Sequence, residues 1–172
     1  KVYFVLEGVS SCAEVYVNKK RVGFTQGSHL EAEFDITDFV KEGKNVLRIK
    51  VYKWCCSSYL EDQDFFRFNG IFRDCYLLQR PQNHIVDIDV KTKGNCVCVD
   101  AKTPCNISLY SADNELLHSE NNVSSTQFSL DNPTLWNAEN PYLYIVKIEK
   151  DGEIITRKIG FKSIEISQNN EL

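Results

Sequence analysis

The segment YIVKIEKDGEIIT, residues 144–156, is the clearest structural signal in the chain. Tyr144, Val146 and Ile148 occupy every second position, so their side chains share one face of an extended strand. Asp151 and Gly152 follow, a pair that is typical of the two-residue turns joining antiparallel strands. The apolar run that begins at Ile154 supplies the returning strand. The segment therefore predicts a β-hairpin.

The same alternation recurs along the rest of the chain. Apolar and charged residues alternate at 47–51 and at 86–90, which predicts two half-buried strands. A weaker hairpin signal joins residues 15–17 to 22–24. Helical character is confined to one turn at 37–42. Short strands at close spacing predict an all-β chain of the sandwich or barrel class.

A boundary between two domains is predicted near Pro81. Residues 80–83 are polar, and a proline cannot donate a hydrogen bond to a central strand ladder. We therefore expect one sandwich over residues 1–81 and an immunoglobulin-like β-sandwich over 82–168, with 169–172 starting a linker. About 85 residues suit a seven-strand sandwich of that type.

The chain begins directly in a strand-like run at residues 2–6, which we interpret as a cut inside a larger protein. Strands missing in front of this run would leave exposed strand edges near Val2 and Leu6. Unpaired edges are templates for pairing with another chain. The isolated fragment is therefore expected to dimerise through them.

Composition excludes some partners. The formal net charge is −4 and there is no basic run, which disfavours nucleic acid and anionic membrane surfaces as partners. No stretch approaches the roughly 20 apolar residues of a membrane span. The seven cysteines lack the C-x2-C spacing of a zinc site, so we expect free thiols in a reducing compartment and a cytoplasmic location.

The densest polar segment is SYLEDQDFFRFNGIFRD, residues 58–74. Glu61, Asp62 and Asp64 place three carboxylates within four residues. A retaining glycosidase needs two carboxyl groups about 5 to 5.5 Å apart that flank the sugar, and neighbours on one short segment share a side of it. We therefore assign no catalytic residue here. A carboxylate that accepts hydrogen bonds from sugar hydroxyls, or binds a hard cation, needs no such partner.

A structural interpretation of this segment stays open. Arg67 and Arg73 could pair with nearby aspartates and lock the loop, because guanidinium forks match carboxylates well. Phe65, Phe66 and Phe68 could wall a site, but phenylalanines in a β domain are expected mainly in the core.

The segment and its surroundings resemble a known family. Trp54, residues 58–64, residues 70–74, Leu77, Leu78 and Pro81 resemble the signature W...GSYLEDQD..R.SGIFRD..LL..P of β-galactosidases in glycoside hydrolase family 2. Downstream, residues 132–144 and Gly160-Phe161 resemble the end of that family's immunoglobulin-like second domain. The resemblance covers nearly the whole chain and is weakest between 83 and 131. It implies a truncated jelly roll, a galactose-binding-like sandwich, in front of the immunoglobulin-like domain.

The resemblance also implies a function. The chain would be a non-catalytic N-terminal portion of a β-galactosidase that hydrolyses terminal β-D-galactosides such as lactose with retention. The family's catalytic glutamates lie on a later (β/α)8 barrel, so the fragment alone should be inactive. The parent would be a homo-oligomer that uses sodium and magnesium, with neither ion expected on the isolated fragment.

The same resemblance assigns roles to five residues. Asp64 corresponds to the family position that contacts the galactose 6-hydroxyl and a sodium ion. Support of its loop is assigned to Glu61, Asp62, Arg67 and Arg73.

Two departures from the family pattern affect local predictions. The family often has Asn-Gly at the first hairpin, whereas this chain has Asn18 and Lys19. Because a non-glycine residue is disfavoured at positive φ, we expect a turn of another type or a longer one. Ser57 replaces the glycine that usually precedes the SYLEDQD run. The resemblance therefore predicts the loop conformation just ahead of Asp64 less closely.

Three alternative functions remain. A related β-glucuronidase is disfavoured, because a uronate carboxylate would be repelled by the acidic cluster where water is excluded. A stand-alone carbohydrate-binding or adhesion sandwich would be excluded by continuation into barrel-like sequence. A structural spacer would show Asp64 buried and ion-paired.

Overall fold

The computed structural model describes residues 1–61 and 68–162, and it is all-β. The chain divides into two compact units, Lys1–Arg80 and Pro81–Leu172. The predicted linker at 169–172 lies outside the described residues. No helix in the described ranges is long and apolar enough to cross a membrane.

The first unit contains eight described strands and two 3₁₀ helices. The strands are β1 (Val2–Leu6), β2 (Val9–Ser10), β3 (Cys12–Val17), β4 (Lys20–Gln26), β5 (Ala32–Asp35), β6 (Leu47–Tyr52), β7 (Gly70–Ile71) and β8 (Cys75–Gln79), and the 3₁₀ helices are Thr37–Phe39 and Cys56–Tyr59.

The strands of the first unit form two three-stranded sheets, ordered β5-β1-β8 and β4-β3-β6, and a short pair of β2 with β7. Alternation along β3 points Ala13, Val15 and Val17 inward, where they meet Phe4 and Leu6 of β1 in one core. Full burial of a valine, leucine or phenylalanine side chain stabilises the fold by about 1.5–3 kcal/mol. The predicted strand at 47–51 is confirmed as β6.

The expected exposed strand edge at residues 2–6 is wrong. β1 is the central strand of its sheet, pairing antiparallel with β5 on one side and β8 on the other. Phe4, Val5 and Leu6 are buried. Among the described strands, the edges of this sheet are β5 and β8, and Leu77 of β8 is 63% exposed.

The turn at Asn18 and Lys19 also differs from the prediction. Val17 pairs with Lys20, so the loop has two residues, and both adopt positive φ, 50° and 71°. The reason lies in contacts from distant residues. The Asn18 side chain donates to the carbonyl of Phe39 and to Asn45 Oδ1, and it accepts from the backbone N–H of Val46.

The second unit forms one five-stranded sheet from β9 (Asp89–Lys93), β10 (Cys96–Tyr110), β11 (Leu116–Ser129), β12 (Tyr144–Lys150) and β13 (Glu153–Ile159). The order is β11-β10-β12-β13, with β9 pairing β10 as well. A register shift between Asp100 and Cys105 interrupts the β10–β11 ladder, and apolar residues from both sides of the shift enter one core. Bulges of this kind bend long strands.

The predicted hairpin at 144–156 is confirmed. Lys150 pairs with Glu153, and Asp151 and Gly152 form the two-residue turn with positive φ at both positions. Tyr144, Val146 and Ile148 are buried on one face.

The predicted strand at 86–90 is wrong in its first half, because the strand begins at Asp89 and Val86 is 78% exposed. Ile85 is the buried residue here, and its backbone N–H donates to the Glu153 carboxylate at 2.7 Å. This hydrogen bond to a side chain takes the place of a backbone hydrogen bond between strands, so the backbone at Ile85 is held without strand pairing. All seven cysteines are free thiols.

Candidate functional site

The acidic segment singled out in the sequence belongs to the first unit. It follows the 3₁₀ helix Cys56–Tyr59 and returns to the fold through β7. Asp62, Asp64 and Arg67 lie outside the described residues, as do Phe65 and Phe66. Their assigned roles stay predictions, and the structure describes the two ends of the segment.

At the entry, Glu61 is attached to a distant part of the unit. Its carboxylate accepts a hydrogen bond from the backbone N–H of Ser28 at 2.9 Å and another from the Ser28 hydroxyl at 2.7 Å. Ser28 is buried and Glu61 is half-buried. Hydrogen bonds to an ionised carboxylate are about twice as strong as neutral ones. The start of the segment is therefore firmly anchored.

At the exit, a short antiparallel pair holds the returning strand. Ser10 pairs with Gly70 and Val9 with Ile71. Gly70 has φ +113°, a conformation that L side chains rarely adopt. A glycine at this point lets the chain turn into β7.

Next to this pair, the backbone of Gly8 packs against residues that follow β7. A Cβ at Gly8 would lie 2.9 Å from the Phe72 ring and 3.0 Å from Arg73 Cδ. The Arg73 guanidinium donates to the backbone carbonyls of Glu7 and His29, at 3.4 and 3.2 Å, and lies 5.5 Å from the centroid of the Phe72 ring. Arg73 therefore connects the exit to two earlier parts of the chain.

A small pocket of about 40 Å³ opens at the base of the segment. Such a volume holds on the order of three water molecules or a small ion. The Ser10–Ser11 peptide bond beside it is cis. The residues that line the pocket are mostly serines and charged residues: Ser10, Ser11, Ser28, Lys53, Trp54, Ser58, Glu61 and Asn69.

The described residues offer no ready metal centre. Within 1–61 and 68–162, no three His, Cys, Asp or Glu side chains come together in a way that could hold a metal ion. A hard cation near this segment would therefore need donors from beyond these ranges or from backbone, hydroxyl and amide oxygens.

Exposed apolar side chains flank the segment on both sides. Tyr59 is 78% exposed, Leu60 87% and Phe68 71%. The expectation that Phe68 belongs to the core is wrong. We call Tyr59, Leu60 and Phe68 the apolar fringe. Sequence reasoning missed it, although two large apolar residues directly before an acidic run were a usable signal.

Comparison with known proteins gives two family matches. Residues 1–81 match the family described as "Glycosyl hydrolases family 2, sugar binding domain". Residues 79–162 match the family described as "Glycosyl hydrolases family 2".

Curated relatives include β-galactosidases. The one from Staphylococcus xylosus is 40% identical over 176 aligned residues, which cover 96% of this chain and 18% of that protein. The one from Actinobacillus pleuropneumoniae is 38% identical, covering 93% of this chain and 17% of that protein. The chain thus spans about a fifth of the length of these relatives.

Similar solved structures include β-glucuronidases. That of Dictyoglomus thermophilum is 22% identical with a TM-score of 0.73, covering 96% of this chain and 34% of that one. That of Faecalibacterium prausnitzii is 18% identical with a TM-score of 0.79, covering 96% and 35%. At this identity the likeness concerns the fold.

Proposed function

The chain belongs to glycosyl hydrolases family 2, and from that premise we propose that it is the non-catalytic, sugar-binding and immunoglobulin-like part of a β-galactosidase. The whole protein would hydrolyse terminal β-D-galactosides with retention of configuration. This chain would contribute a wall of the galactose pocket and no catalytic carboxylate. The two curated relatives described above are β-galactosidases that are 40% and 38% identical to this chain. They support the choice of substrate.

The observation that carries the proposal is the anchoring of the acidic segment at both ends. Glu61 is fixed to Ser28, and Gly70 is fixed to Ser10. Three peptide links separate Asp64 from Glu61, which limits the distance between their Cα atoms to roughly 11 Å. A carboxylate tied this closely to a rigid base suits the positioning of a ligand.

Asp64 would act by binding, not by proton transfer. Its carboxylate would accept a hydrogen bond from the galactose 6-hydroxyl and offer a hard oxygen ligand to a sodium ion. When bound, the ion would supply positive charge next to that carboxylate. A substrate with a carboxylate at the same carbon would place two negative charges together, which disfavours glucuronides.

The apolar fringe fits the same proposal. Exposed apolar patches on a folded protein commonly mark interaction sites. Tyr59, Leu60 and Phe68 flank the segment that would complete the sugar pocket. The occupant that we propose for this surface is the catalytic barrel of the same protein.

The test uses the whole protein and a nitrophenyl β-galactoside. Loss of one hydrogen bond to a charged group costs about 1.5–3 kcal/mol, so Asp64→Ala should lower kcat/KM roughly 10- to 150-fold and abolish any stimulation by sodium. Asp38→Ala, an aspartate in the first 3₁₀ helix of the same unit, should leave both properties unchanged. Wild-type activity on a nitrophenyl β-glucuronide and none on the galactoside would refute the proposal.

A further inference from the structure

Three of the seven cysteines gather where β3 begins and β6 has just ended. Cys12 is the first residue of β3, and it is buried. Cys12 pairs in register with Tyr52 of β6. Tyr52 precedes Cys55 by three residues. Cys56 is exposed, and its thiol donates to Gln26, the residue that pairs with Cys12 on the other side.

The sulfur of Cys55 points back toward Cys12. Cys55 Sγ lies 3.7 Å from the carbonyl oxygen of Ser11, the residue that precedes Cys12. Each thiol affects the ionisation of the other. Cys56, the chain neighbour of Cys55, is engaged with Gln26 instead. Cys12 is therefore the thiol placed to react with Cys55.

The surroundings of the two sulfurs differ. Burial opposes ionisation of Cys55, but hydrogen bonds with Ser57, Ser58 and Cys12 outweigh burial and lower the pKa of the thiol. The Ser57 hydroxyl is 2.9 Å from Cys55 Sγ. Burial, aided by the bond with Cys55, raises the pKa of Cys12 to about 11. Since the thiolate is the nucleophile, Cys55 is the thiol of this pair that reacts first.

We propose that Cys12 and Cys55 are a redox-modification site, which a peroxide converts to an intramolecular disulfide. The Cys55 thiolate attacks hydrogen peroxide, an S–O bond forms as the O–O bond breaks, and the departing hydroxide takes up the proton lost from Cys55. Cys12 then attacks the sulfenic sulfur of Cys55. The S–O bond breaks, hydroxide leaves, and the proton of Cys12 completes a second water.

The site bears on the acidic segment because Cys55 caps the helix that leads into it. The Cys55 thiol accepts from the backbone at Ser58, and the Ser58 hydroxyl accepts from the backbone N–H of Cys55 at 3.1 Å. A disulfide to Cys12 would withdraw this sulfur from its capping position. Formation of the disulfide does not require the proposed galactosidase activity, so it can be tested on the chain itself.

The experiment treats the reduced 172-residue chain with one equivalent of hydrogen peroxide and maps disulfides by mass spectrometry of a non-reduced digest. We expect a Cys12–Cys55 cross-link, loss of two of the seven free thiols, and recovery of both with dithiothreitol. Cys55→Ser should slow thiol loss at least tenfold, and Cys12→Ala should leave a sulfenic acid on Cys55 that dimedone traps.

Cys56→Ser is the matched control, and it should form the cross-link at the wild-type rate. Circular dichroism of each variant separates loss of reactivity from loss of fold, and dimedone trapping keeps the test informative if Cys12→Ala is less stable. A vicinal Cys55–Cys56 bond as the main product, or equal oxidation of Cys55 and the exposed Cys98, would overturn the proposal.

Discussion

Replacing Ser28 by alanine should destabilise the first unit by about 1.5–2.5 kcal/mol. The change removes the 2.7 Å hydrogen bond from the Ser28 hydroxyl to the Glu61 carboxylate and leaves only the backbone bond at 2.9 Å. Ser28 is 3% exposed, so water cannot readily replace the lost donor. Hydrogen bonds to charged groups contribute about 1.5–3 kcal/mol, against about 0.5–1.5 for neutral ones.

The chain offers a neutral comparison in the same unit. The Ser11 hydroxyl donates to the carbonyl of Lys53 at 2.8 Å, and Ser11 is also buried. Ser11→Ala removes the same atom from a bond of similar length, but the acceptor is uncharged. The loss should therefore be about 1 kcal/mol, clearly below that of Ser28→Ala.

Urea unfolding can report on the first unit alone. The chain has two tryptophans, Trp54 in the first unit and Trp136 in the second. In a Trp136→Phe background, the fluorescence of Trp54 follows the first unit, and the midpoint multiplied by the slope gives its free energy of unfolding. A double-mutant cycle of Ser28→Ala with Glu61→Ala then isolates the coupling between the two side chains.

The coupling energy should be about 1–2 kcal/mol. A value below about 0.3 kcal/mol would mean that the two changes are additive, as for side chains that do not interact. Equal losses for Ser28→Ala and Ser11→Ala would equally refute the reasoning, because the charge of Glu61 would then contribute nothing.

Three further predictions concern the first unit. Lys19→Gly should stabilise it by about 0.5–1 kcal/mol in urea unfolding, since glycine relieves the positive φ of 71°; Lys20→Gly, in β4, should destabilise it, and equal effects would contradict the strain argument. Gly8→Ala should cost about 1–3 kcal/mol, because the new Cβ would lie 2.9 Å from the Phe72 ring; an unchanged melting temperature would exclude that close packing. The nearby Thr37 hydroxyl and the hydrogen bond from the Thr37 backbone N–H lower the pKa of Asp35 to about 2. The stability that this interaction supplies should therefore be complete above about pH 4 and disappear as pH falls toward 2. The effect should stay below about 1 kcal/mol because Asp35 is exposed, and Asp35→Asn should remove it.

Local sequence patterns were sufficient to predict the structure where residues that are neighbours in sequence are also neighbours in space. The hairpin at 144–156 needs only its own alternation and its Asp-Gly turn, and it formed as predicted. The turn at Asn18 and Lys19 did not, because Phe39, Asn45 and Val46 hold it from elsewhere in the unit. No pattern within the hairpin reveals those partners.

The position of a strand within its sheet is likewise non-local. β1 begins the chain, yet its neighbours are β5 and β8, and β8 begins about 70 residues later. Alternation correctly predicted the strand at 47–51 and the hairpin at 144–156, but it could not tell which strand lies at an edge. The prediction that Phe68 belongs to the core was wrong for a related reason. Aromatic composition does not indicate which side chains the rest of the unit covers.

The acidic segment illustrates how distant residues can fix the two ends of a short stretch of chain. Its carboxylates are close in sequence, but the groups that fix its ends, Ser28 and Ser10, come from other parts of the unit. Any change that loosens the core around β1 and β3 should therefore also loosen the two ends of the segment. On the proposed function, and because positioning residues must be held within about 0.5 Å to act well, Ser28→Ala should impair galactoside binding by the whole protein although Ser28 would not contact the sugar. For that reason, substitutions at the ends of the segment should be compared by both free energy of unfolding and KM, since a purely structural role would change only the first.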